Sequence, residues 1–211
     1  MTVIRITLAS LLAILVAIPV QAQTFLPIDR SKVLSLFGAD NFKEMPIPAE
    51  NAPADIKQLQ ADGDTVWIFY DKSIQTRIAM AGHDGHIHSL RILVAVVNNS
   101  EQINNQVLAA LSSLFSTIYP DWSEAKEWPR QSLSLSWSAT AREMNPNTRR
   151  GASTGTEDDL IPSRRASGIT ASTFGVPPDL VVYAVTTRDA CVPHRSASGR
   201  PQDDPIKRLI C

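Results

Sequence analysis

The stretch SIQTRIAMAGHDGHIHSLRILVAVV, Ser73 to Val97, decides the fold. Asp84-Gly85 stands near its middle, and this dipeptide favours a two-residue turn whose central residues both take positive φ. Ile74, Ile78 and Met80 on one side, and Leu90, Ile92, Val94 and Val96 on the other, are all even-numbered. Successive side chains of a strand point to opposite faces, so these residues line one apolar face of a hairpin. Arg77 and Arg91 fall on the opposite, wetter face. An apolar sheet face needs a cover, and the next segment supplies one. Ile103, Val107, Leu108, Leu111, Leu114, Phe115 and Ile118 trace a single stripe of an α-helix over about residues 101–119, with Ser100 as a candidate N-cap and Pro120 as the stop.

Working outward, Thr65 to Tyr70 (TVWIFY) is a β-branched and aromatic run behind the turn Asp62-Gly63-Asp64, which predicts a third strand. Further upstream, Asp29 is a candidate N-cap and Gly38 a candidate stop for a two-turn helix carrying Val33, Leu34, Leu36 and Phe37. Residues 44–55 read as a connecting loop, followed by one helical turn around Ile56 to Gln60. Downstream, Leu133, Leu135 and Trp137 alternate with serines as a strand would, yet Leu133, Trp137 and Ala141 fit i, i+4 spacing and Pro129 suits a first helical turn. Helix is the favoured reading. Residues 145–167 are polar and read as a flexible surface loop. Gly168 to Gly175 and Leu180 to Thr187 form a second hairpin around Val176-Pro177-Pro178-Asp179. The order of elements predicts an α+β fold in two layers, an antiparallel sheet of about five strands with helices on one face.

The chain opens with Arg5, an apolar run from Ile6 to Ile18, Pro19, and the small-residue signal Val20-Gln21-Ala22. This pattern predicts that residues 1–22 are a cleavable signal peptide and that residues 23–211 form a single domain, periplasmic or secreted. The apolar run of about 13 residues falls short of the roughly 20 a membrane helix needs, so no stable span is expected after cleavage. The 20 basic and 21 acidic residues balance to a net charge of −1. Such a chain offers no basic field for nucleic acid.

Several residue groups could carry chemistry. His86-Ile87-His88 on a strand would put two imidazoles on one side about 7 Å apart, with His83 across the turn or His194 as a third ligand, a metal-site spacing. Exposed histidines at a hairpin tip are otherwise solvated, or form a pH-responsive surface. Gly151-Ala152-Ser153-Thr154-Gly155 matches the nucleophile-elbow pattern, but polar residues flank it where a strand and a helix are required. Arg149-Arg150 and Arg164-Arg165 bracket Glu157-Asp158-Asp159 and could clamp an anion, or could be solvated loop charges. Trp122 and Trp128 could form a recognition patch or pack the helix between them. Asp62-Gly63-Asp64 lacks the further oxygen ligands of a calcium loop and reads as a turn.

These features favour an exported, non-catalytic binding or accessory protein of the cell envelope, acting on a protein or small-molecule ligand and needing no cofactor. The rival is a hydrolase that uses a metal at His86 and His88, or Ser153 as nucleophile.

Cys191 and Cys211 are the two cysteines of the chain, and an oxidising compartment would join them as a staple on the polar C-terminal segment. The intact protein should therefore show one intrachain disulfide by non-reducing mass spectrometry. Two free thiols, or a chain doubled through Cys211, would contradict that pairing.

Overall fold

Residues 25–47, 54–96, 103–144, 163–176 and 179–188 are described by a computed structural model. Its strands are β1 (Lys43–Glu44), β2 (Thr65–Asp71), β3 (Thr76–His83), β4 (His86–Ala95), β5 (Ser163–Ala166), β6 (Ile169–Val176) and β7 (Leu180–Thr186). Its helices are α1 (Arg30–Phe37), α2 (Ala54–Ala61), α3 (Asn105–Ile118) and α4 (Trp128–Met144). The chain is thus a mixed α+β protein. All seven strands lie in one antiparallel sheet, ordered β1-β2-β3-β4-β7-β6-β5.

Turn chemistry builds the β3–β4 and β5–β6 hairpins. Asp84 and Gly85 adopt φ of 49° and 83° between β3 and β4, the pair of positive angles whose twist matches that of the flanking strands. Ser167 and Gly168 repeat the device between β5 and β6 with φ of 52° and 74°. The sequence reads Ser163–Ala166 as loop because residues 145–167 are polar and offer little to bury. The structure corrects this reading: Ser163 to Ala166 pair with Ser172 to Ile169 as an edge strand. With β1 at the other edge, two short strands extend the sheet from about five expected to seven. The rest of the expected loop, residues 145–162, lies outside the described residues.

The even-numbered face is apolar as the spacing requires. Ile74, Ile78, Met80, Leu90, Ile92, Val94 and Val96 all belong to the main core, together with Val107, Leu111, Leu114 and Phe115 of α3 and Val33 and Phe37 of α1. Helices α1 and α3 each start where a side chain satisfies an orphan amide. The Asp29 carboxylate accepts from Lys32 N at 2.7 Å, and the Asn104 side chain accepts from Gln106 N at 2.8 Å. Gly38, at φ 88°, ends α1 in the left-handed region. No helix among the described residues is long and apolar enough to cross a membrane, a statement about helices and not about strands.

The serines of α4, which make its segment look like a strand, have a packing role. Ser132 and Ser136, one helical turn apart, are buried against β6. Ser136 Oγ donates to Thr173 O at 2.8 Å, Thr173 Oγ1 donates to Ser132 Oγ at 3.0 Å, and Tyr183 OH donates to Pro129 O at 2.8 Å. Small hydroxyls let the helix lie close to the sheet while pairing every buried polar group they bring.

The opposite face differs from the expectation of helices grouped on one side above a wetter one. Ile56 and Leu59 of α2 share a second apolar cluster with Ile68, Ala79, Ala81, Leu93 and Val182, strand residues of the opposite parity to the main core. Arg77 is exposed, but Arg91 is only 4% exposed. The sequence offers little warning, because alanine dominates this face of β3 and reads as neutral in periodicity.

Leu111 is fully buried while Gln106 is exposed. Leu111→Ala should therefore lower stability by about 2 to 5 kcal/mol, and Gln106→Ala should leave the denaturation midpoint nearly unchanged. Equal shifts for the two variants would mean that the α3 stripe does not face the core.

Candidate functional site

The most unusual side-chain arrangement arises from one irregularity in the central hairpin. Ala81 pairs with Ser89 but Gly82 pairs with Ile87, so β4 carries one extra residue, His88, at a β-bulge. Gly82 makes the bulge possible. A Cβ there would collide with the carbonyl oxygen of His86 and come within 2.8 Å of Ile87 Cα, a clash with backbone that no rotamer can relieve. Ile87 and Leu90, three residues apart, consequently both enter the main core. Strict alternation would have put them on opposite faces.

The bulged His88 is 1% exposed, and its Nε2 lies 2.9 Å from Asp64 Oδ2. The same carboxylate oxygen receives Arg188 Nη1 at 2.9 Å. Three points far apart in the chain therefore converge at the end of the sheet: the turn before β2, the bulge of β4 and the residue after β7. Local bonds hold each in place. Asp64 N donates to Leu59 O at 2.9 Å, fixing the turn after α2. Thr187 N donates to His88 O at 2.9 Å, and Arg188 N donates to Thr186 Oγ1 at 3.0 Å.

This geometry assigns the imidazole tautomer. The carboxylate can only accept, so Nε2 carries the proton and Nδ1 is left with its lone pair. His88 Nδ1 is buried and has no hydrogen-bond partner among the described residues. A second proton would have to sit there. Burial is the main reason that the His88 pKa is lowered from the ordinary imidazole value, the nearby Arg188 charge works in the same direction, and the hydrogen bond to Asp64 opposes both.

The other candidate ligands lie elsewhere. His83 is exposed, its Nε2 3.1 Å from Asp84 Oδ2 and its Nδ1 3.3 Å from Gly63 O. His86 is exposed, with its ring 5.7 Å from that of Phe25. The structure does not bring His83, His86 and His88 to a common point, because the bulge breaks the alternation on which that expectation depends. Among the described residues no group of three or more His, Cys, Asp or Glu side chains is placed to hold a metal ion. Ser153 and its Gly-x-Ser-x-Gly pattern, Arg149-Arg150, His194, Cys191, Cys211 and residues 1–22 lie outside the described residues.

Trp128 packs inside on Phe115 with ring centroids 4.8 Å apart, and half-buried Trp122 sits edge-on to Tyr119 at 5.6 Å. The Arg164 guanidinium lies 5.0 Å above the Trp122 ring. One member of the arginine pair is therefore engaged as a cation–π partner. Two members of the buried cluster escape sequence reading. Asp64 was legible only as part of a turn, and Arg188 had no pattern at all. Gly82, a glycine inside a strand, is the available signal of the bulge.

No protein-family model, curated protein or solved structure matches the chain.

The lowered pKa has a consequence of definite sign. His88 binds its second proton more weakly folded than unfolded, so unfolding takes up a proton at pH values between the folded pKa and the unfolded value near 6.5. The contribution of His88 to stability is thus complete above about pH 6.5 and is lost as the pH falls below it. The melting temperature should drop more steeply on acidification in the wild type than in His88→Gln, whose amide can still donate to Asp64. Parallel slopes would show that His88 carries no such linkage.

Proposed function

We propose that this chain is an exported protein of the periplasm or external medium that binds a protein or small-molecule ligand without chemical turnover. Support for export comes from residues 1–22, with their single arginine, apolar run and small residues before Gln23. The observation that carries the non-catalytic half is the state of His88. A general base needs a lone pair within reach of a substrate or nucleophile proton. In His88 one nitrogen is committed to Asp64 and the other is sealed inside the protein. The imidazole, carboxylate and guanidinium that could have formed a reactive centre are instead used to tie the sheet together.

Two measurements test the two halves. Fractionation of cells expressing the full chain should place it outside the cytoplasm with Gln23 as its N-terminus; cytoplasmic protein beginning at Met1 would contradict export. Hydrolysis of a nitrophenyl ester should equal the buffer blank. A rate above blank that disappears in Ser153→Ala or His88→Gln would instead establish the hydrolase reading.

A further inference from the structure

We propose that Asp64, His88 and Arg188 form an acid-released latch, which holds the end of β7 to the head of β2 and opens when His88 takes up a second proton. The latch rests on the geometry of the described residues alone and stands or falls separately from the export reading.

Charge governs the cluster. With a neutral imidazole, the cluster holds one carboxylate against one guanidinium, and the imidazole N–H adds a second donor to the same oxygen. All the donors aimed at Asp64 Oδ2 are then satisfied. A second proton changes two things together. It places a new N–H at Nδ1, where no acceptor stands among the described residues. It also sets a second cation beside Arg188 with one carboxylate oxygen to serve both. A buried donor without a partner is unfavourable, and the charge of the partly exposed Arg188 repels the added proton.

Among the described residues, the surrounding groups do not relieve this. Asp64, from the turn before β2, and Arg188, beyond β7, are the charged groups that act on His88. On the same turn His83 reaches Gly63 O through its own Nδ1, and Asp62 is exposed. Arg91, along β4, would only add positive charge. Opening is also local. Arg188 is 39% exposed on its side chain and follows the last described strand. Freeing it separates Thr187 N from His88 O but leaves the α3 core intact. Parting at such a site takes less free energy than global unfolding.

Amide hydrogen exchange of the purified full chain, corrected for the intrinsic effect of pH, reads the latch directly. Between about pH 7.5 and 5.5, protection at Thr187 and Arg188 should fall roughly tenfold while Leu90 and Val185 keep theirs. In His88→Gln the protection at Thr187 and Arg188 should be the same at both pH values. In Asp64→Asn, which removes the shared anion, it should be low at both, and this variant serves if the first does not fold. The proposal is overturned by protection that is independent of pH in the wild type, by a wild-type response in His88→Gln, by wild-type protection in Asp64→Asn, or by equal losses at Val185.

Discussion

One extra residue in β4 imposes the constraint from which the candidate site follows. Strand alternation puts every second side chain on the same face, and Ile78, Met80, Leu90 and Ile92 obey it. Beyond Ser89 the register slips, and it can slip only because Gly82 has no Cβ to meet the His86 carbonyl. The slip lets Ile87 rejoin the core and leaves His88 as the residue that must find a polar partner inside the protein. Asp64 meets that need, and Arg188 comes with it. A backbone irregularity thus becomes a buried electrostatic contact.

The contact is better understood as a device for specifying structure than as a large source of stability. Removing a carboxylate and an imidazole from water costs much of what their attraction returns, and a buried polar pair often does no better than apolar residues of the same shape. The main core supplies the stability: α3, α1 and the even-numbered face of the central hairpin bury a continuous apolar cluster. The tie instead fixes which ends of the sheet meet. It joins β2, β4 and β7 at one oxygen atom, a contact that a neighbouring register would not reproduce.

The legible part of the fold was the part written in periodicity. Asp84-Gly85, the even-numbered apolar residues and the α3 stripe place the central hairpin and its covering helix correctly, and Leu133 and Trp137 do the same for α4. What escaped was written in pairs that sequence does not connect. β5 lies in a polar stretch with little to bury, so it reads as loop. Alanines at 79 and 81 hid the second apolar cluster, and with it the burial of Arg91. The candidate site was missed for a related reason. His86-Ile87-His88 suggests two imidazoles on one side, and only the bulge, invisible without the partner strand, sends His88 to Asp64, 24 residues away.

The tie at the end of the sheet requires His88 to be a neutral imidazole, protonated on Nε2 and held by Asp64. Nitrogen-15 spectra of the histidine-labelled protein measure this directly. The account predicts that near neutral pH His88 shows a protonated Nε2 and a bare Nδ1, and that its titration midpoint lies below the ordinary value of 6.5. A His88 that carries its proton on Nδ1, or that titrates at or above 6.5, would contradict it.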